Sequence, residues 1–288
     1  MNPDGSVDVD GMRREYIVKL HALTGRNVVV YYTNWMQPGS PDVSIVLSDI
    51  NGLMEVFKDL DTDLGLDLIL HSPGGDPTAA DSLVRYMRQM FADVRVIVPV
   101  AAMSAATMWA LSADRILMGK HSQLGPIDPQ LLSVNGMVPA GAIARTFQRA
   151  QDECASDASK LSAWVPTLQQ YFPGLLDMCD DSTKLARSLA EEYLRDNMFR
   201  GRSDGSVLAK AAAEFFADDQ VHIAHGRGIH SDALLSRGLV IDALEDDNDL
   251  QEAVLSVHHA YMHTFGMTPT SKIIENQLGR AVIKTFTS

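Results

Sequence analysis

Residues 66–118 read LDLILHSPGGDPTAADSLVRYMRQMFADVRVIVPVAAMSAATMWALSADRILM. The stretch opens on a short apolar run at 66–70 and turns through Ser72-Pro73-Gly74-Gly75. Apolar residues at helical spacing follow over 78–91. A second, β-branched run spans 94–100, a helix starts at 104–111, and a third short run lies at 115–118. Strand and helix alternate with short connections, which predicts βαβ units and a largely parallel sheet with helices on its faces. Continuous apolar runs, rather than alternating ones, are the pattern of strands buried on both faces.

One segment of this stretch tests a different reading. Residues 96–113 are uncharged between Arg95 and Asp114, near the length of a membrane-spanning helix. Pro99, Ser104, Thr107 and Ser112 interrupt it, and it begins as a β-branched strand. A buried strand followed by a buried helix is the expectation, with no membrane span.

Outward from there, residues 27–32 (NVVVYY) form another doubly buried strand, flanked by helical spacing at 12–23 and 46–60. Residues 33–44 carry two prolines and Gly39 and read as a loop. Beyond Pro139 the pattern turns mainly helical, over 140–156, 164–172, 181–197 and 207–216. A short strand-helix-strand passage returns at 221–224, 231–237 and 239–241, and a last helix spans 247–266. No Ser/Gly-rich linker divides the chain. The expected organisation is a disordered leader at 1–11, one α/β domain at 12–266 with a helical insertion at about 140–216, and a C-terminal tail or arm at 267–288.

Composition excludes several classes. The 288 residues are 46% apolar and 21% charged, which is ordinary globular usage and not disorder. Asp and Glu number 37 against 24 Lys and Arg, a net charge of −13. Such a surface repels phosphate backbones and anionic lipid, so no nucleic-acid partner is expected. Cys154 and Cys179 cannot build a disulfide framework and read as reduced thiols in a cytoplasmic protein. Residues 1–15 lack the apolar core of a signal peptide. No GxGxxG or GxxxxGK[ST] motif occurs, so no nucleotide cofactor is expected. His259 and His263 have i, i+4 spacing, but no HExxH glutamate or third ligand accompanies them, so no metal is expected.

Two turns carry the chemistry. In an open α/β sheet, ligands bind beyond the carboxyl ends of the strands. The turn at 71–76 offers two adjacent glycines whose amides approach a ligand without an intervening Cβ. It reads either as an anion or oxyanion cradle or as a tight strand-to-helix connection. Ser104 stands among small residues where a strand passes into a helix. It reads either as a nucleophile with room for a substrate carbonyl or as a plain N-cap. The two turns lie at the ends of adjacent strands, which is the pairing an oxyanion loop and a nucleophile need.

HSPGG at 71–75, followed by AMSAATMWALSADRILMGKHSQLGPIDPQ at 102–130, resembles the serine dehydrogenase proteinase family. That family belongs to the Clp-protease, signal-peptide-peptidase A and crotonase group. The likeness runs from Met12-Arg13 through NVVVYY to LGPIDPQ and resumes at HGRGIHSDALLSRGL, 225–239. It implies a ClpP/crotonase-like α/β spiral of ββα units with a helical insertion, and a serine peptidase working by acyl transfer. Ser104 matches the nucleophile, Gly74 and Gly75 the oxyanion loop, and the Ala105 amide the second donor. The base stays open. The Clp-protease histidine is missing from 124–129, and His121 just upstream reads as a surface turn. A Ser, Asp, His order fits Asp128 and His225, while a Ser–Lys dyad would draw on Lys160 or Lys184. Relatives usually carry glycine after the serine, where this chain has Ala105-Ala106, whose methyl groups are expected to narrow the space above it. The resemblance implies a peptide or protein substrate, a homo-oligomer, and a separate ATPase for folded substrates. Two other readings share the fold: a catalytically degenerate scaffold, and a crotonase-type acyl-CoA enzyme that needs no serine.

Overall fold

The computed structural model describes residues 7–133 and 136–286. Helix α1 (Val9–Thr24) is capped by the Asp8 carboxylate, which accepts the Gly11 amide, and it stops at Gly25 in the left-handed region. It thus starts inside the expected leader; residues 1–6 of that leader lie outside the described residues. Strand β1 (Asn27–Thr33) is buried throughout. A 3-10 turn at Leu47–Asp49 leads into α2 (Ile50–Phe57), shorter than the helix expected over 46–60. Asp49 explains the tight start. Its carboxylate accepts the Val46 amide and the Tyr31 hydroxyl, and binds Lys272 and Lys284.

Strand β2 (Leu66–His71) feeds the SPGG turn and then α3 (Pro77–Met90). Asp76 caps α3 by accepting the Thr78 and Ala79 amides, and Pro77 fills the first helical position, where no N–H is needed. Next come β3 (Val94–Val98), β4 (Ala101–Ala102), α4 (Ala105–Leu111), β5 (Arg115–Met118) and β6 (Gln123–Leu124). The segment read against a membrane span is therefore strand, short strand and buried helix. Among the described residues no helix is long and apolar enough to cross a membrane.

An antiparallel pair, β7 (Gln130–Ser133) and β8 (Gly136–Pro139), opens the insertion. Helices α5 (Ala140–Ser156), α6 (Leu161–Leu168), α7 (Leu175–Tyr193) and α8 (Gly205–Ala217) follow. The strand expected at 221–224 does not form. Asp218 caps a single helical turn there, α9 (Asp219–His222), by accepting the Gln220 and Val221 amides. Helix α10 (Ser231–Leu235), strand β9 (Ile241–Ala243) and helix α11 (Asn248–Met267) complete the domain.

Residues 267–288, expected as a tail or arm, instead supply β10 (Thr270–Asn276) and β11 (Ala281–Thr285). Strand β10 is buried along its length and pairs antiparallel with β1. Its polar residues hid it from a hydropathy reading. Lys272 meets Asp49 at 2.6 Å and Glu275 meets Arg13 at 3.0 Å, so burial is met by pairing and not by apolar composition.

The large sheet runs β11-β10-β1-β2-β3-β5-β9, parallel from β1 to β9. Alternate β1 side chains serve opposite faces. Val29 and Tyr31 join the core under α2, α3 and α4, while Val28, Val30 and Tyr32 join the core under α1 and α11. A second, smaller layer crosses the carboxyl ends of these strands. It consists of the Ile45–Gly75, Ser72–Ala102 and Leu124–Ile229 bridges together with the β4–β6 pair. Each turn of the chain thus gives a strand to the large sheet and a short segment to the small layer. In the turns of β1, β2 and β3 a helix follows, which makes a spiral of ββα units. The SPGG turn and Ser104 lie in this small layer, side by side.

Candidate active site

Ser104 follows β4 through Met103 and is the N-cap of α4, with φ 52° and ψ −120°. A non-glycine residue at positive φ costs about 1–3 kcal/mol and persists only where its surroundings hold it. They do so here: Thr107 Oγ1 donates to Ala102 O at 2.8 Å and accepts the Gly125 amide at 2.9 Å. The helix side of the serine is closed by Ala105 and Ala106, both buried. Ala106 joins the core beneath and does not line the cavity, so its methyl group takes no space above Ser104.

The glycine turn packs directly on this elbow. A Cβ on Gly74, at φ 95°, would lie 2.5 Å from Met103 O and 2.8 Å from the Ala105 nitrogen. A Cβ on Gly75 would lie 2.4 Å from both the nitrogen and the oxygen of Ile45. Glycine is needed at both positions for close approach of backbone to backbone. Their amides differ. The Gly74 N–H donates to Ser72 Oγ at 3.1 Å and is spent inside the turn. Gly75 sits between two bonds to Ile45: Ile45 N–H to Gly74 O at 2.8 Å and Asp76 N–H to Ile45 O at 3.0 Å. Among the described residues the N–H groups of Gly75 and Ala105 donate to no protein acceptor. Gly75 and Ala105 line the same cavity as Ser104.

Asp128 and His225 meet across 97 positions of sequence, His225 Nδ1 lying 2.7 Å from Asp128 Oδ1. The Ile127 N–H to Phe216 O bond anchors the Asp128 segment to α8. The Leu124–Ile229 bridge ties the histidine loop to the small layer. Asp128 is 4% exposed and its second oxygen accepts from Gln130 Nε2 at 2.6 Å. A buried carboxylate with both oxygens engaged fixes the imidazole ring and its Nδ1–H tautomer.

Ser104, Gly74, Gly75, Ala105, Asp128 and His225 all line one cavity of about 530 Å³. Met108, Ile127, Leu131, Met137, Leu185 and Ala186 form its apolar wall. No Ser104–His225 hydrogen bond is formed among the described residues; such bonds often close only when substrate docks. The structure does not bring the lysines here. Lys184 lies on the exposed face of α7 and pairs with Asp180 at 2.5 Å, which raises its pKa and favours its charged form, which cannot take a proton. Lys160 and His121 are exposed and do not line the cavity. Nothing near the site resembles a metal centre: no group of three His, Cys, Asp or Glu among the described residues is placed to hold an ion.

Sequence reasoning missed three parts of the site. Ser72 and Gln130 sit inside the quoted motifs, but their hydrogen bonds depend on side-chain directions. Leu185 and Ala186 come from α7, whose inward face is set by packing against α4. Behind the glycine turn, His71 is fully buried, and among the described residues neither ring nitrogen has a hydrogen-bond partner. Burial, and then the neighbouring His258, push its pKa down to about 3.

The family described as ClpP-like SDH-type serine proteinase matches residues 43–187, half of the chain. That span contains every cavity residue named above except His225. Two uncharacterized proteins of Methanocaldococcus jannaschii are similar. MJ0137 is 35% identical over 119 residues, covering 41% of this chain and 40% of its own length. MJ1495 is 31% identical over 152 residues, covering 53% and 46%. The chain thus spans less than half the length of these relatives. Among solved structures, a serine-to-alanine mutant of the 1510-N membrane-bound stomatin-specific protease aligns with a TM-score of 0.45 and 18% identity. That alignment covers 73% of this chain and 79% of that one. A lysine-to-alanine mutant of the same protease, in complex with a substrate peptide, aligns at 0.39 and 20% identity, covering 77% and 74%.

Proposed function

The chain belongs to the ClpP-like SDH-type serine proteinase family, and from that premise we propose that it hydrolyses peptide bonds through a Ser104–His225–Asp128 triad. The observation that carries this reading is the 2.7 Å contact between His225 and Asp128 on the cavity that Ser104 lines. His225 Nε2 takes the Ser104 proton as Oγ attacks the scissile carbonyl, forming a tetrahedral intermediate. The oxyanion of that intermediate accepts the Gly75 and Ala105 N–H groups. Asp128 holds the ring through Nδ1 and stabilises the imidazolium. His225 then passes its proton to the leaving amine, and a water repeats the sequence on the acyl-enzyme.

The apolar wall favours a peptide with an apolar side chain beside the scissile bond. The same reading carries action on extended peptides or unfolded protein by a homo-oligomer, the assembly being checked by sedimentation.

Labelling with a fluorophosphonate probe, read by intact mass, tests the assignment. Wild type takes one adduct. Ser104→Ala takes none, His225→Ala is labelled at least a hundredfold more slowly, and Lys184→Ala matches wild type. Loss of label in Lys184→Ala with retention in His225→Ala would replace the triad by a dyad. No adduct on folded wild type would favour a non-catalytic scaffold.

A further inference from the structure

The LGPIDPQ motif ends on Gln130, which the mechanism above leaves without a part. We propose that Gln130 is a positioning residue: its side-chain amide locks the Asp128 carboxylate in the plane that holds His225. The proposal rests on the reading of Asp128 and His225 as the base of the reaction.

One carboxylate serves two partners. Oδ1 faces His225 Nδ1 at 2.7 Å, and Oδ2 accepts from Gln130 Nε2 at 2.6 Å. An ionised carboxylate only accepts, so the amide presents its NH2 and not its oxygen. The torsion that turns a carboxylate about its Cβ–Cγ bond is broad and twofold. One contact through Oδ1 leaves that rotation soft, and a second through Oδ2 stops it. At 4% exposure, Asp128 has little access to water that would substitute for the amide.

Gln130 is itself held. It is the first residue of β7 and pairs with Pro139 in the hairpin register. Pro129 separates it from Asp128 and limits the backbone between them. Gln130 also lines the cavity beside Leu131, so the wall met by substrate and the carboxylate behind the base share one side chain.

A glutamine that served only the fold would lower stability without separating kcat from KM in protein that still folds.

Three forms are compared: wild type, Gln130→Met, which keeps the length and removes the donor, and Gln130→Glu, which keeps the shape and replaces the donor by an acceptor. Each is checked for folding by circular dichroism. The readouts are the fluorophosphonate labelling rate from pH 5 to 9, and kcat and KM on a fluorogenic peptide with an apolar residue before the cleaved bond. In Gln130→Met the labelling rate and kcat fall about tenfold, the effect of one charge-assisted hydrogen bond. KM changes less than twofold. Gln130→Glu, which sets an acceptor against an acceptor, loses at least as much. Labelling rate and kcat unchanged in Gln130→Met overturn the proposal, as does a loss confined to KM. Wild-type labelling in Asp128→Asn or His225→Ala overturns the triad reading and this proposal with it. Loss there with full activity in Gln130→Met overturns this proposal alone.

Discussion

At the scale of single residues, the site depends on groups too small to attract notice in a sequence. Gly74 has φ 95°, and a Cβ there would meet Met103 O at 2.5 Å and the Ala105 nitrogen at 2.8 Å. The substitution Gly74→Ala therefore adds backbone strain of about 1–3 kcal/mol and pushes on the turn that holds Ser104. The expected outcome is a lower melting temperature together with loss of fluorophosphonate labelling in protein that still folds. Unchanged labelling would mean that the glycine turn does not brace the nucleophile. Ser104, Asp128 and His225 were legible as candidates because their motifs occur in a recognisable order. Which glycine amide is left without a protein acceptor was not, since that follows from Ser72 Oγ capturing the Gly74 N–H. The choice between Lys184 and His225 was equally closed to the sequence. Where Lys184 points depends on which face of α7 meets solvent, and Lys184 is on that face.

Elements show where hydropathy succeeds and where it fails. Strands β1, β2 and β3 were legible because both of their faces are apolar, and a short continuous apolar run between turns is the pattern of a strand covered on both sides. Strand β10 was not, because Lys272, Glu275 and Asn276 are buried by pairing partners that lie far away in sequence. Strand β2 and helix α11 also meet through titratable groups. His71 and His258 have ring centroids 5.7 Å apart, and the Tyr32 hydroxyl lies 2.9 Å from His258 Nδ1. Burial, followed by the effect of His258, lowers the pKa of His71 to about 3. Burial, followed by His259 and His121, lowers that of His258 to about 4. An unfolded chain binds protons at these histidines near pH 6.5, whereas the folded chain keeps both neutral well below that. Their contribution to stability is therefore complete above about pH 6.5 and is lost as pH falls towards 4 and then 3, on the order of a few kcal/mol by pH 4. Replacing His71 by Leu removes one of the two sites. The acid-unfolding midpoint, followed by far-ultraviolet circular dichroism, is expected to move to lower pH by about half a unit or more. A midpoint that stays in place or rises would show that His71 does not drive acid unfolding.

Across the whole molecule, charge and shape act together on what reaches Ser104. The cavity is closed by three distant parts of the chain: the glycine turn after β2, the β7–β8 hairpin, and α7 from the insertion. The first was legible as a motif. The hairpin and the inward face of α7 were not, because helix-to-helix packing, and not local pattern, places Leu185 and Ala186 in the cavity wall. A cavity of about 530 Å³ walled by apolar groups admits an extended segment and a few side chains, not a folded surface. Around it lies a chain with 37 acidic and 24 basic residues. Such a field concentrates cationic peptides and repels anionic ones, and salt screens it over about 8 Å at physiological ionic strength. Two peptides with the same apolar centre, one flanked by lysines and one by glutamates, separate this long-range effect from contact in the cavity. At low salt the lysine peptide is expected to have a KM several-fold lower with a similar kcat. In 0.5 M NaCl the two KM values converge, because contact within the apolar wall is insensitive to salt while the field is not. Equal KM values at low salt would mean that the acidic surface lies too far from the cavity to be felt there. A difference that survives high salt would instead place a charged contact inside the cavity itself, and Asp128 is already engaged by His225 and Gln130.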